Sequence, residues 1–217
     1  PNPALPAGFT FNQFLIVDDE PLLFHTGLRG MFPLVHEAIE AVIPARSLRY
    51  LGIAHFEADE CGALNEFLEV APRSVPLCGA VAKMVSVDDV ADREAFGLGD
   101  GEKLSLGKHT VGWIDTPHLP HGWDCGYLFE QATSTLFCGD LFTQPGADHS
   151  PLIEGDILGP SEAMRGAMDY YAHTENTAAL IAKLAATDPT TLACMHGSSW
   201  SGKGSELLGE LASALGA

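Results

Sequence analysis

Four short apolar segments of the sequence are followed, directly or within a short loop, by side chains that can bind a metal ion. They are residues 48–54, 111–114, 136–138 and 192–195. His55 and His196 follow the first and last of them directly, Asp140 follows Gly139, and His121 lies in the loop after 111–114. Short apolar runs of this kind are consistent with buried strands. Because α/β proteins place functional groups at strand ends and in the loops that follow, we expect these ends to contribute to one site. The pattern predicts an α/β fold.

The rest of the chain alternates between strand and helix patterns. Further strands are expected at 11–17, 21–24 and 126–129, and the last apolar segment is expected to be a strand over 191–194. Helices are expected at 31–42, 64 to near Pro72, 161–186 with a break near Thr174, and 206–215. No linker, repeat or charge block divides the sequence, so we expect a single domain over residues 1–217. Helices should cover β-sheets, and the pattern leaves open whether there is one sheet or two.

The charge balance argues against several classes of partner. Lys and Arg total 11 and Asp and Glu total 29, a net charge of −18, which disfavours binding to nucleic acid or to anionic membranes. No run approaches the ~18 apolar residues of a membrane span, and residues 1–9 show no signal-peptide pattern. The cysteines are scattered, without C-x-x-C, as expected for reduced thiols: Cys61, Cys78, Cys125, Cys138 and Cys194. We therefore expect a cytoplasmic protein.

The densest group of candidate ligands is the segment His55-Phe-Glu57-Ala-Asp59-Glu60, which directly follows an apolar strand. In an extended segment, residues at i, i+2 and i+4 point to one side. Like charges held this close raise each other's pKa values, and a bound cation removes that cost. The alternative is a polar turn with one structural histidine.

Three other segments add single candidates: His121 in a Pro/Gly-rich loop, Asp140 after Gly139, and His196 before Gly197. Taken singly, each is explained as an ordinary loop or turn residue. Their shared position after apolar strands favours a metal site over three unrelated turns.

This set of residues resembles the metallo-β-lactamase superfamily, and more narrowly its di-iron branch of flavodiiron proteins and stand-alone oxygen-binding di-iron proteins. The resemblance rests on the motif His-x-Glu-x-Asp at residues 55–59, followed by His121, Asp140 and His196. Most hydrolases of the superfamily have His where this chain has Glu57. Mixed imidazole and carboxylate ligands suit iron at redox sites, whereas zinc prefers N and S donors.

The resemblance implies an αββα sandwich, with two mixed sheets covered by helices on both outer faces. It also implies two iron ions, with zinc as an occupant after heterologous expression. His55, Glu57 and His121 would hold one iron, Asp59 and His196 the other, and Asp140 would bridge them.

Two features of the site stay open in the sequence. The family commonly has His at the position of Glu60, so either Glu60 is a ligand or one metal has an extra open position. His25 is a candidate to lie beside the metal ligands and to steer a bound diatomic molecule or water. Tyr170-Tyr171 resembles the Tyr-Tyr-Ala stretch of flavodiiron proteins, and one of the two, with Tyr171 as the candidate, would hydrogen-bond to a bound ligand or act as a one-electron safeguard. The alternatives are a turn residue for His25 and helix packing for Tyr171.

The resemblance implies a protein that binds or reduces O₂ or NO, or one that senses O₂. No flavodoxin domain and no FMN are expected within these 217 residues, so electrons would come from a separate donor protein, and a sensor would act on a signalling protein. A homodimer is expected by analogy. The competing hypothesis is a dinuclear zinc or mixed-metal hydrolase of esters, thioesters or lactones.

Overall fold

The computed structural model describes residues 8–216, which form two β-sheets stacked face to face. The first sheet has the order β1-β2-β3-β4-β5. The β1–β2 pair is antiparallel, and the other pairs are parallel. Its strands are β1 (Phe14–Ile16), β2 (Leu22–Phe24), β3 (Tyr50–Gly52), β4 (Val75–Gly79) and β5 (Phe96–Leu98).

The second sheet is also mixed, with the order β10-β12-β11-β9-β8-β7-β6. Strands β6 to β9 form an antiparallel meander, and β9 pairs in parallel with β11. Its strands are β6 (Lys103–Ser105), β7 (Thr110–Asp115), β8 (Gly126–Glu130), β9 (Thr135–Phe137), β10 (Leu152–Ile153), β11 (Thr191–Ala193) and β12 (Ser199–Ser201).

Helices cover the outer face of each sheet. A π-helical turn, Lys83–Val87, joins α4 to α5. Among the helices of residues 8–216, none has the length and hydrophobicity of a membrane span. The helices are α1 (Phe32–Glu40), α2 (Ala58–Cys61), α3 (Leu64–Val70), α4 (Ala80–Ala82), α5 (Asp88–Val90), α6 (Leu158–Met168), α7 (Thr177–Ala185) and α8 (Gly204–Ala214).

Alternating side chains of the first sheet fill two separate cores. On β2, Leu22 and Phe24 lie in the core between the sheets, whereas Leu23 lies in a second core with residues of α1 and α3. This is the two-residue alternation of a strand whose two faces are both covered. On the other side of the molecule, α7 and α8 contribute Ile181 and Leu208 to the core of the second sheet. The expected αββα sandwich is confirmed.

Most expected elements are present but shorter than their patterns. The strand expected over 48–54 is Tyr50–Gly52, and the helical region over 161–186 is interrupted between Met168 and Thr177, as expected. The sequence patterns do not predict five short strands of the structure, which are β4, β5, β6, β10 and β12. The prediction that no signal peptide is present concerns residues 1–9, and residues 1–7 lie outside the described residues.

Candidate metal centre

The loops after β3, β7 and β9 bring one group of candidate ligands together. His55 Nε2 lies 3.1 Å from His121 Nε2. His121 Nε2 in turn lies 3.2 Å from Glu57 Oε1 and 3.3 Å from Asp140 Oδ2. One ligand atom from each of these four residues falls within 4.8 Å of the others. This spacing is compact enough for a single metal ion.

A second group lies on the other side of Asp140. His196, after β11, places Nε2 3.1 Å from Asp140 Oδ1 and 3.5 Å from Asp59 Oδ2. The two carboxylate oxygens of Asp140 therefore face different groups, Oδ2 towards His121 and Oδ1 towards His196. This is the arrangement of a carboxylate placed to bridge two ions.

Backbone carbonyls set the orientation of two of the histidines. His121 Nδ1 lies 2.9 Å from the carbonyl of Tyr170, and His196 Nδ1 lies 2.7 Å from the carbonyl of Thr10. A carbonyl only accepts, so each Nδ1 must carry the proton and donate it. In their neutral form, which is the form that binds a metal ion, the rings present an unprotonated Nε2 to the centre.

The geometry around Asp140 shows why a cation fits. Its Oδ1 is buried and has no hydrogen-bond partner among the described residues, although His196 Nε2 is only 3.1 Å away. With the His196 proton on Nδ1, two lone pairs face each other across that distance. A metal ion or a second proton must lie between them to make the contact favourable. The nitrogen and oxygen donors present suit iron as well as zinc.

The pKa shifts in the centre follow from the close packing of its imidazoles and carboxylates. Burial lowers the pKa of His121, but the hydrogen bonds with Asp140 and Glu57 outweigh it and raise that pKa to about 10. Hydrogen bonds from His121 and His55 lower the pKa of Glu57 to about 2. Burial would raise the pKa of Asp140, yet His121 and His196 hold it well below its usual range. Without a metal, the cluster therefore retains protons on its imidazoles.

A left-handed backbone at Gly139 delivers Asp140 from β9. Its φ is +47°, and an added Cβ would lie 3.0 Å from the Tyr127 ring and 3.3 Å from the Ala54 side chain. Glycine adopts this conformation without steric cost and leaves the space that the close approach needs. The turn at Gly139 thus lets a buried strand end directly at the centre.

The family model described as "ODP family beta lactamase" matches residues 9–197. The chain belongs to this family. The match contains the whole set of candidate ligands, from His55 to His196.

Several proteins and solved structures resemble this ODP-family chain. "Putative diflavin flavoprotein A 1" of Nostoc sp. is 26% identical over 212 residues, which are 90% of this chain and 36% of that protein. The structure of rubredoxin oxygen:oxidoreductase from Desulfovibrio gigas aligns with a TM-score of 0.77 and 25% identity, over 97% of this chain and 53% of that one. The flavodiiron protein from Giardia intestinalis has the same fold, with a TM-score of 0.75 and 20% identity over 96% and 52% of the two chains. The chain thus spans about a third to a half of these proteins.

Glu60 lies behind His55 rather than among the inward-facing ligand atoms. Its side chain is fully buried, with Oε2 accepting the backbone N–H groups of Ala54 and His55 at 2.7 and 2.8 Å. Oε1 lies 3.0 Å from Nδ1 of His55, the nitrogen that faces away from the centre. Of the two alternatives for Glu60 in the sequence, the geometry favours the one in which it is not a ligand.

His25 also lies behind the centre. Its ring is completely buried against Phe24, and its Nε2 lies 3.5 Å from Glu60 Oε1. Burial lowers the pKa of this ring. The role of His25 in steering a diatomic molecule stays a prediction; its ring lies beside Glu60 and is not among the residues that line the cavity over the centre.

The two tyrosines of the predicted pair, Tyr170 and Tyr171, lie in different environments. Tyr170 lines the cavity, and its hydroxyl donates to the backbone carbonyl of Asp140 at 3.4 Å. Tyr171 is buried in the hydrophobic core, and its hydroxyl has no hydrogen-bond partner among the described residues. Of these two consecutive side chains, Tyr170 therefore reaches the cavity and Tyr171 packs in the core.

The cavity over the centre has a volume of about 230 Å³. Phe9, Met164 and Met168 form apolar parts of its wall, and Phe9 stacks on the His196 ring with centroids 4.3 Å apart. Sequence reasoning missed these residues, since none carries a ligand-type side chain. A larger cavity of about 380 Å³ touches the candidate ligands only at Glu57.

Proposed function

We propose that this ODP-family chain holds two iron ions and binds or reduces O₂ or NO. The observation that carries the proposal is Asp140, whose two carboxylate oxygens face two separate ligand groups. His55, Glu57 and His121 form the first group; Asp59 and His196 form the second. Zinc would fill the same positions in protein expressed without iron, because it binds most N/O sites more tightly than Fe(II).

When bound, two ferrous ions supply electrons and open coordination positions to a diatomic molecule. The chain itself orients the donors through the Nδ1 contacts of His121 and His196 with backbone carbonyls. Three carboxylates, Glu57, Asp59 and Asp140, offset much of the charge of two divalent ions. Metal binding requires deprotonated carboxylates and neutral imidazoles, so it displaces the protons that the apo cluster retains.

The size and lining of the cavity support a small apolar ligand. Its volume of about 230 Å³ is below the roughly 300–1,000 Å³ typical of sites for drug-sized molecules. Met164 and Phe9 present apolar surface beside the polar centre. O₂ and NO fit such a space.

We further propose that electrons arrive from a donor outside the single domain formed by these residues. Rubredoxin, named in the Desulfovibrio gigas relative, is the kind of small redox protein that fits this role. If no donor sustains turnover, the same site would serve as an O₂ sensor that acts on a signalling partner.

The test is a gas titration of protein loaded anaerobically with Fe(II). We expect O₂ or NO to oxidise or bind to the iron in wild type, and continuous gas consumption when a reductant is present. Asp140→Asn removes one of the two facing oxygens, and Asp148→Asn, at an exposed loop position, is the matched control. No reaction with either gas, together with ester or thioester hydrolysis by the zinc form, would contradict the proposal.

A further inference from the structure

The buried carboxylate of Glu60 is enclosed by groups that define its orientation. Oε2 accepts two backbone N–H groups, from Ala54 and His55. Oε1 lies 3.0 Å from His55 Nδ1 and 3.5 Å from His25 Nε2, ion-pair distances at which the angles of a hydrogen bond are not met. All three side chains are nearly or completely inaccessible to solvent. Burying a carboxylate is costly, so the arrangement requires partners that stabilise its charge.

The backbone of Glu60 is anchored as firmly as its side chain. Its carbonyl accepts the N–H of Thr26 at 2.7 Å and the Thr26 hydroxyl at 3.2 Å. These bonds tie the short helix α2 to the end of β2, while the side chain reaches back to the end of β3. Glu60 therefore joins two neighbouring strand ends to the loop that carries His55 and Glu57.

Glu60 differs from the partners of the other two histidines in charge. His121 and His196 each have a neutral backbone carbonyl at Nδ1, whereas His55 has a carboxylate. A carboxylate at Nδ1 fixes the imidazole tautomer and makes the ring a stronger donor through Nε2. One histidine of the centre is thus distinguished from the others by a negative charge behind it.

We propose that Glu60 is a positioning residue that orients His55 Nε2 towards a metal ion and increases its donor strength. This inference rests on the metal centre proposed above, and it assigns Glu60 a role behind a ligand instead of as a ligand. His25 packs against the remaining side of the carboxylate and shields it from water.

The test uses Glu60→Gln in the full chain, with Glu69→Gln as the matched control. Gln keeps the shape and an oxygen for the two backbone N–H groups but removes the charge. Glu69 is exposed on α3 and loses the same charge without touching the centre. Each protein is loaded with Co(II), and metal affinity, metal stoichiometry and the exchangeable imidazole N–H signals in the paramagnetic NMR spectrum are measured.

We expect Glu60→Gln to retain the wild-type number of metal ions and to bind them about 10–100-fold more weakly, the usual effect of losing a partner of a ligating histidine. One imidazole N–H signal should shift or exchange faster, while those of His121 and His196 stay in place. The control should match wild type in every respect. A purely structural role would lower the thermal stability of the apo protein and leave these signals unchanged.

Two results would overturn the proposal. Loss of a metal ion from Glu60→Gln at saturating Co(II), with the His55 signal intact, would make Glu60 a ligand. Wild-type affinity and an unchanged spectrum would make it structural only. If Glu60→Gln does not fold, the spectrum of the Co(II)-loaded wild type still tests the proposal. The absence of an Nδ1–H signal from His55 in that spectrum would contradict the contact between His55 and Glu60. Failure of wild type to bind metal would instead refute the proposed metal centre itself.

Discussion

At the scale of single residues, the centre depends on which atom each side chain presents. His121 and His196 present Nε2 because their Nδ1 atoms face carbonyl oxygens. The sequence predicts which residue types gather, since each follows an apolar strand. It does not predict orientation, because the partners at Nδ1 are backbone atoms of Tyr170 and Thr10, whose side chains carry no signal for that role.

Tyr170 and Tyr171 give a residue-scale prediction with an internal control. Tyr170→Phe removes the hydroxyl that donates to the Asp140 carbonyl at 3.4 Å. We expect wild-type metal content but a roughly 2- to 10-fold lower rate with O₂ or NO, the range for losing one modest hydrogen bond. Tyr171→Phe, in the core, should leave that rate unchanged. The measurement is stopped-flow mixing of both Fe(II)-loaded variants with gas; equal rates for the two would contradict the assignment of Tyr170.

The pKa of His121 predicts how the metal-free protein responds to pH. It is raised from 6.5 to about 10, so protonated His121 contributes stability that is fully present below about pH 6.5 and is lost as the pH rises through 10. The pKa of Glu57 is lowered from 4.5 to about 2, and its contribution is lost only as the pH falls from about 4.5 through 2.

Thermal unfolding of chelated protein between pH 6 and pH 10 tests this dependence. We expect Tm to fall across that interval through the His121 contribution, and His121→Gln to reduce the fall. The increase in Tm on adding metal should become larger as the pH rises, because the ligands lose the protons that compete with the metal. A His121→Gln profile parallel to wild type would contradict the shifted pKa.

At the scale of elements, the sequence is informative where an element has one buried face. Apolar spacing predicts the helix α1. The sequence also predicts the interruption after α6. In the first sheet both faces are buried, so β2 reads as a continuous apolar run and its alternation between two cores is invisible in the pattern. The strand β6 was missed for a different reason: Lys103 and Ser105 are exposed at a sheet edge, and the polar composition resembles a loop.

The turn from β9 into Asp140 supplies an element-scale prediction. Gly139→Ala places a Cβ 3.0 Å from the Tyr127 ring at a φ of +47°. We expect a loss of about 1–3 kcal/mol in the free energy of unfolding and weaker metal binding, because Asp140 shifts with the turn. Gly166→Ala, inside α6 with open space around its Cβ, should instead stabilise the protein by about 0.5–1 kcal/mol. Denaturant titration measures both; unchanged stability and metal affinity in Gly139→Ala would refute the role of the turn.

At the scale of the whole molecule, the fold brings together ligands separated by more than half of the sequence. The ligand residue types and the αββα sandwich follow from the motif and its resemblance to a known family. The position of Glu60 behind His55 and the small cavity walled by Met164 and Phe9 do not, because both depend on how separate strands stack. Sequence order specifies which segments meet, and packing specifies which side chains face the space between them.

The central claim is that this chain binds two iron ions, and metal analysis of anaerobically purified protein reconstituted with Fe(II) tests it most directly. We predict about two iron ions per chain, retained through desalting, and a marked loss in Asp140→Asn but not in Asp148→Asn. Excluding zinc is necessary, because it competes effectively at N/O sites. Rejection of iron, with about two zinc ions retained under the same conditions, would contradict the account and favour a hydrolase.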